Sequence, residues 1–363
     1  MMSKPRTIVI TSALPYANGD IHLGHMVEHF LTDMWARYQK MCGHDCLAIC
    51  ADDTHGTPIM VNARKQGITP EELVAKMHDK HIADFQDFEV AYDHYSSTNT
   101  EQNRAYCNDI YKNMKEKGHI QVKEIEQSYC AHDKMFLPDR FVTGECPKCG
   151  AEQQYGDQCE SCMATYSPLD LKNASCILCG NTPEKRQSEH HFFTLNDFRS
   201  FLKEWVPNHT SKGVAAKLDE WLSEDLMDWC ISRDKPYFGF KIPGTEDKYF
   251  YVWVDAPIGY ISSTKEWCDR NQAQVEKYWK SDDAEIYHNI GKDIVYFHTL
   301  FWPAMLKTGG WKTPKRVLVH GMLTVNGEKM SKSRGTFVNA RTYLNHLDPS
   351  YYRYYMACKL NDP

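Results

Sequence analysis

The sequence lacks any apolar run approaching the ~18 residues that a membrane-spanning helix needs. Its N-terminus, MMSKPRTIVITSALPY, lacks the apolar core of a secretory signal, and no lipidation motif is present. These absences predict a cytoplasmic protein without membrane contact. Positive charge is also in deficit. Against 48 Asp and Glu stand 42 Lys and Arg, a net charge of -6. That argues against a dedicated nucleic-acid module but leaves room for an enzyme with a local basic groove. Internal repeats and low-complexity tracts are absent too. What remains, 363 residues that are 42% hydrophobic and 25% charged, suits two globular domains or one large α/β domain with an insertion.

Cysteine, by contrast, is plentiful: the chain has 14. Three Cys-x-x-Cys pairs crowd into Cys146 to Cys179, and in a reducing compartment such pairs read as metal ligands rather than disulfides. Cys146, Cys149, Cys159 and Cys162 follow a Cys-x2-Cys-x9-Cys-x2-Cys spacing. Two such knuckles make a closed tetrahedral thiolate site, for which zinc is the first choice and iron the alternative. A closed site has no open coordination position, so its role is structural, holding together a segment with little core of its own.

Hydrophobic periodicity organises the rest. TIVIT (Thr7 to Thr11) reads as a buried strand, and Leu23, Met26, Val27, Phe30, Leu31, Met34, Trp35 and Tyr38 recur at helical spacing. CLAICAD predicts a second strand, PIMVNARKQG and the stretch after TPEE two helices, VAYDHYSST a third strand, and Ser97 or Thr98 the cap of a helix ending at Gly118. Strand and helix alternate as in half of a doubly wound parallel sheet. From about residue 118 to 232 that alternation breaks. It returns with EIYHNIG (strand), DIVYFHTLFWPAML (helix) and KRVLVHG (strand), and the last 25 or so residues read as short helices. The expected fold is α/β, a Rossmann-like doubly wound parallel sheet split by an insertion. The expected divisions are 1–117, 118–232 (zinc knuckles over about 128–190), 233–325 and 326–363.

Two short motifs carry the chemistry. HLGH (His22 to His25) follows a strand and opens a helix, where unpaired N–H groups favour anions and Gly24 admits a close ligand. KMSKS (Lys329 to Ser333) places Lys329 and Lys332 in a glycine-flanked loop, and lysines there suit a triphosphate whose charge shifts during reaction. Taken singly, the first reads as a helix cap and the second as a solvated loop. Together, at the two ends of a split Rossmann-like domain, they resemble the paired signatures of class I aminoacyl-tRNA synthetases. The phrases ALPYANGDIHLGH, ADDTHGTPI, FLPDRFV, YFYVWVDAPIGY, GKDIVYFHTLFWPA and NGEKMSKSRGT narrow the resemblance to the methionyl-tRNA synthetase family, from about residue 7 to the end.

The resemblance implies that methionine attacks the α-phosphorus of ATP, giving methionyl-adenylate and pyrophosphate, before acyl transfer to the acceptor end of tRNA(Met). Such phosphoryl chemistry needs positioning and charge stabilisation. It assigns His22 and His25 to the α-phosphate and leaving group, Lys329 and Lys332 to the β- and γ-phosphates, and Mg²⁺ to ATP itself. Gly24, His25, Asp293 and His320 would face adenosine. Leu14, Tyr16, Trp253, Ala256, Pro257, Tyr260, Ile294 and His298 would form the methionine slot, with Tyr260 and His298 near the sulfur. Asp53 would take the α-ammonium, and Arg233 would face the carboxylate or pair with Asp53. Family members with two zincs carry a second Cys-x-x-Cys where this sequence reads SYCAHDK; here Cys130, Cys176 and Cys179 would need Asp133 or His132 as a fourth ligand.

Two other readings compete with this one. A cysteine-specific synthetase would grip its substrate with zinc in the catalytic half, and a non-catalytic zinc-ribbon module would not need both motifs. The family usually continues into a helical bundle that reads the anticodon, whereas this sequence stops at Pro363. The expectation is therefore adenylate formation by a monomer with weak tRNA charging.

Overall fold

The computed structural model describes residues 4–156, 159–162, 164, 166–325, 327–329 and 337–359. Its first third alternates β1 (Thr7–Ser12), α1 (Leu23–Met41), β2 (Asp45–Asp52), α2 (Thr57–Gln66), α3 (Pro70–Asp87), β3 (His94–Ser97) and α4 (Glu101–Glu116). β1 and β2 are almost wholly buried, which is why they read as unbroken apolar runs: a central parallel strand is covered on both faces. Local signals set the helix ends. Gly67, at φ 68°, closes α2 in the left-handed conformation. Thr69 and Glu72 form a capping box at α3. The cap of α4 differs from the expected Ser97 or Thr98. Ser97 closes β3, and the Thr98 hydroxyl is taken by the Thr54 N–H and hydroxyl at 3.0 and 2.7 Å. Thr100 caps instead, accepting the Asn103 N–H at 3.2 Å.

The chain then leaves this sheet. β4 (Ile120–Cys130), β5 (Met135–Phe136), β6 (Val142–Glu145), β7 (Gln154–Tyr155), β8 (Lys172–Cys176) and β9 (Glu184–Phe193) follow, then α5 (Arg199–His209), α6 (Lys212–Leu222) and β10 (Trp229–Cys230). They form a four-stranded sheet, β10-β9-β4-β5, and a three-stranded one, β7-β6-β8. α5 and α6 share the main core with the parallel sheet: Leu202, Trp205, Leu218 and Leu222 pack in the same cluster as Val9, Ile49 and Ile286. The cysteine-bearing part has only a small cluster of its own, around Met135, Leu137, Phe141, Val142 and Leu171.

After a hairpin of β11 (Ser232–Asp234) and β12 (Lys248–Phe250), the chain forms α7 (Val252–Arg270), α8 (Val275–Trp279), β13 (Ala284–Gly291), α9 (Trp302–Gly309) and β14 (Arg316–His320). It ends in the ribbon β15 (Thr324–Val325) and β16 (Glu328–Lys329), then α10 (Ala340–Leu344) and α11 (Pro349–Lys359). The helix expected over DIVYFHTLFWPAML is three pieces: a 3₁₀ turn at Lys292–Ile294, a π turn at Phe297–Phe301, then α9. Pro303, with no N–H to donate, sits in the first turn of α9, where none is needed.

The main sheet runs β14-β13-β1-β2-β3, and each neighbouring pair is parallel. In order of appearance this is 3-2-1-4-5, the order of a doubly wound dinucleotide-type fold, in which β1 and β13 flank the point where winding reverses.

Candidate active site

Ligands of such sheets bind beyond the carboxyl ends of the strands at the reversal point. A cavity of about 790 Å³ lies there, walled by Ala13 and Leu14 after β1, Gly291 at the end of β13, and residues of α1, α7 and the inserted sheet. It is within the usual range for small-molecule sites. Fifteen of the residues singled out from the sequence line it: Leu14, Tyr16, His22, Gly24, His25, Asp53, Arg233, Trp253, Ala256, Pro257, Tyr260, Asp293, Ile294, His298 and His320. The backbone of Lys329 lies in β16, and Lys332 falls outside the described residues.

The helix mouth is built by the two histidines. His22 is the N-cap of α1. Its Nδ1 accepts the His25 N–H at 3.2 Å, and the Nδ1 of His25 accepts the His22 N–H at 3.3 Å. The rings stack, with centroids 3.5 Å apart. An imidazole whose Nδ1 is occupied as an acceptor carries its neutral-state proton on Nε2, so the hydrogen-bond network assigns each ring an Nε2–H donor. Burial, then the neighbouring His22 and His81, push His25 down to about 3, so it donates as a neutral ring at physiological pH.

On the other side of the cavity the wall is apolar and aromatic. Trp253 lies flat on Phe297, with centroids 4.0 Å apart and planes 6° from parallel. Tyr260 and His298 hydrogen-bond to each other, Oη to Nε2, at 2.9 Å, and His298 Nδ1 donates to the Ile294 carbonyl at 3.1 Å. With Nδ1 protonated, Nε2 must accept and the tyrosine must donate. Burial holds His298 down at about 4 and Tyr260 well above its ordinary value, so this pair stays neutral.

Charge enters this wall at Asp53. Its chain partner is Tyr16, joined by a parallel bridge. Oδ1 of Asp53 is buried and has no hydrogen-bond partner. Burial, then Asp255 and Asp52, drive its pKa well above the carboxylate range. A carboxylate so placed is short of a cation. Arg233 does not supply one. It stacks on Tyr251, 3.7 Å from the ring centroid, and donates to the Ser232 carbonyl at 2.8 Å, and it does not pair with Asp53.

The opposite corner holds a pair that sequence reading missed. Glu28, on α1, accepts from His320 Nε2 at 3.2 Å, and His320 Nδ1 lies 2.8 Å from the Gly321 carbonyl. Both partners are acceptors, so His320 is satisfied only when doubly protonated. Burial opposes that form, yet Glu28 prevails and its pKa is raised. Burial likewise lifts Glu28, against the pull of His320. A lone Glu on an amphipathic helix looks like any solvated position, so no sequence signal marked it. Gly291 makes room here: a Cβ would come 2.5 Å from Oδ1 of Asp293 and displace that carboxylate.

Two clusters in the insertion have the geometry of metal sites. The sulfurs of Cys146, Cys149, Cys159 and Cys162 all lie within 4.8 Å of one another, with 146–162 at 3.8 Å and 149–159 at 3.6 Å. Four sulfurs about 2.3 Å from one ion form a tetrahedron with edges of about 3.8 Å, so the donors fit. The Cys149 and Cys162 N–H groups point at the Cys146 and Cys159 sulfurs at 3.5 and 3.3 Å. The second cluster is Cys130, Asp133, Cys176 and Cys179. Asp133 Oδ2 is 3.0 Å from Cys130 Sγ and 3.4 Å from Cys176 Sγ, and Cys130 and Cys179 are 3.4 Å apart. Asp133 rather than the exposed His132 completes this set.

Residues 8–362 match the family described as "tRNA synthetases class I (M)". The chain is 57% identical over 361 residues to the methionine–tRNA ligase of Bdellovibrio bacteriovorus, covering 99% of this chain and 52% of that protein. It is 56% identical over 366 residues to that of Nitrosomonas europaea, covering 98% and 52%. The chain thus spans about half the length of these curated relatives. Among solved structures it resembles Mycobacterium tuberculosis methionyl-tRNA synthetase bound by methionyl-adenylate, with TM-score 0.75, 23% identity, and coverage of 97% of this chain and 64% of that one. A second structure of that enzyme in complex with methionyl-adenylate gives TM-score 0.76 and 24% identity, with the same coverage.

Proposed function

Since the chain belongs to the class I tRNA synthetases of the (M) family, we propose that it activates L-methionine with ATP and passes the methionyl group to the acceptor end of tRNA(Met). The observation that carries this is one cavity with two unlike ends: a buried carboxyl at Asp53 whose Oδ1 has no hydrogen-bond partner, beside an aromatic slot, and a helix mouth with two Nε2–H donors. An amino acid bound by its ammonium at Asp53 presents its carboxylate toward whatever the helix mouth holds, and that mouth is built for an anion.

In the first step a methionine carboxylate oxygen forms a bond to the α-phosphorus as the bond from that phosphorus to the β-phosphate oxygen breaks, releasing pyrophosphate. His22 and His25 donate to the phosphoryl oxygens as charge develops. Lys329 and Lys332 hold the outer phosphates, with Mg²⁺ bound to ATP as part of the substrate. Gly24, Asp293 and His320 face adenosine. Leu14, Tyr16, Trp253, Ala256, Pro257, Tyr260, Ile294 and His298 enclose the side chain, where sulfur against aromatic faces contributes ~0.3–1.5 kcal/mol. Arg233, its guanidinium stacked on Tyr251, faces the substrate carboxylate.

The Cys146 cluster holds a structural zinc and the Cys130–Asp133–Cys176–Cys179 cluster a second. Their role is to fold the inserted segment, whose own apolar cluster is small. The same reading divides the chain at 117, 232 and 325. All 14 cysteines are free, as suits a protein working in the cytoplasm, and the described residues form no helix long and apolar enough to cross a membrane. We take the chain to act as a monomer. Methionine-dependent exchange of pyrophosphate into ATP tests the proposal. Exchange with methionine alone among amino acids is expected; no exchange, or exchange driven by cysteine or a branched amino acid, overturns it.

A further inference from the structure

Behind the helix mouth lies a polar cluster that the reaction as written does not use. Asp52, the last residue of β2, is wholly buried. It receives His78 Nδ1 at 2.6 Å, His81 Nδ1 at 2.5 Å and Tyr95 Oη at 2.6 Å. His81, on α3 and also buried, turns its other nitrogen outward: Nε2 lies 2.9 Å from the carbonyl of Gly19. Gly19 sits three residues before His22, in the loop that enters α1. Neighbouring ties hold the same loop. Asn62 donates to the Asn18 carbonyl at 2.8 Å, and Lys80 pairs with Asp20 at 2.8 Å.

We propose that His81 is a positioning residue for the phosphate end of the site, a doubly donating imidazolium that fastens the Gly19 loop to Asp52 and so fixes the His22–His25 pair. The proposal rests on the reading of those two histidines given above. Its logic is a matter of donors. A carbonyl never donates, and Asp52 already takes protons from two other groups, so His81 meets both partners only by donating from both nitrogens. That requires the charged ring. Burial disfavours this form, but Asp52 and the Gly19 carbonyl outweigh it, and the pKa of His81 lies above the ordinary imidazole value. Asp52, which burial alone would raise, is held low by the same three donors.

The groups facing His81 are Asp52 on β2, His78 and Asp84 on α3, Tyr95 on β3, and His25 and His29 on α1. Asp84 is itself paired with Arg341 on α10. The positive ring beside His25 is one of the causes that keep His25 neutral. The same charge therefore fastens the loop and preserves the donor form of the catalytic imidazole.

Methionine-dependent pyrophosphate exchange across pH tests this, with His22→Ala as the reference. In His81→Leu, kcat is expected to fall about ten- to a hundred-fold, the scale of a small misplacement at a reacting centre, while the methionine KM stays within about twofold. His81→Gln, uncharged but still a donor, should recover part of kcat and lose the alkaline decline that the wild type shows as His81 deprotonates. If His81→Leu does not fold, Asp52→Asn serves: its alkaline decline should move toward lower pH. Unchanged kcat in both His81 variants, an unmoved pH limb in Asp52→Asn, or a loss confined to methionine KM overturns the proposal while His22→Ala is inactive. An active His22→Ala chain would instead sink the functional reading on which it rests.

Discussion

His22 and His25 cap each other: each ring accepts the other's backbone N–H through Nδ1, at 3.2 and 3.3 Å. The pair therefore does two jobs with different atoms. Nδ1 ends the helix, while both rings line the cavity and keep Nε2 as a donor. His22→Asn should separate them, because asparagine is a good cap but carries no donor at the Nε2 position. Its Tm should stay near that of the wild type while pyrophosphate exchange drops by orders of magnitude. His22→Ala should lose activity and also about 1 kcal/mol of stability, measured by urea unfolding.

Asp53 gives a proton-linkage prediction. With its pKa raised by burial and by Asp255 and Asp52, the folded, unliganded chain holds a proton that the unfolded chain gives up at lower pH. The sign follows: Asp53 favours the folded state at acid pH, and that contribution declines as pH rises from the unfolded carboxylate value through the raised one. An incoming ammonium favours the ionised form, so methionine binding should release protons at mildly acidic pH. Calorimetry in buffers of differing ionisation enthalpy will read this. In Asp53→Asn the release should vanish and methionine KM should rise at least a hundredfold, with ATP KM nearly unchanged.

Glu28 and His320 should behave as one unit. Glu28→Gln removes the negative charge that holds the imidazolium, so the His320 pKa should fall, by NMR titration. Removing one partner of a largely buried pair costs about 3 kcal/mol. The His320 contribution is present at acid pH and disappears as pH rises through its raised folded value, so the difference in Tm between wild type and variant should shrink at alkaline pH.

Metal analysis of the purified chain should find two zinc ions. Asp133→Ala should weaken or empty one site and leave the other, whereas Cys146→Ser should empty the first. Either loss should lower the thermal stability of the inserted segment and leave methionine binding at Asp53 largely intact. A single ion per wild-type chain would remove the Asp133 site.

Much of this was legible in the residues themselves. β1, α1 and β2 announce themselves because a central strand is buried on both faces and α1 keeps its apolar stripe over five turns. The cysteine knuckles are legible because tetrahedral thiolate sites constrain spacing. α7 was not read as a helix from sequence: Pro257, Gly259 and the scattered Val252, Val254, Ile258 and Ile261 speak against one, and only packing across the sheet overrides them. The π turn at Phe297–Phe301 cannot be seen in a periodicity count, since one extra residue in a turn leaves no compositional mark. Glu28, Asp52 and His81 were invisible for a third reason. Their roles come from partners 292, 43 and 62 residues away in sequence, and single polar residues carry no pattern.

One backbone pairing has a consequence for how the site comes into being. His22 bridges to Asn339, with the Leu23 N–H bonded to the Val338 carbonyl at 3.1 Å and the Ala340 N–H to the Ile21 carbonyl at 2.9 Å. The mouth of α1 is thus closed by residues from the far end of the chain. Contacts so distant in sequence form late, because the intervening chain must be ordered first. The Tyr16–Asp53 bridge, by contrast, spans only α1 and β2, a far shorter separation in sequence, and can form earlier. During refolding, capture of methionine should precede capture of an ATP analogue, so that the chain recognises its amino acid before it acquires the means to hold a nucleotide. Simultaneous recovery of the two in stopped-flow binding would show that the pairing does not order assembly.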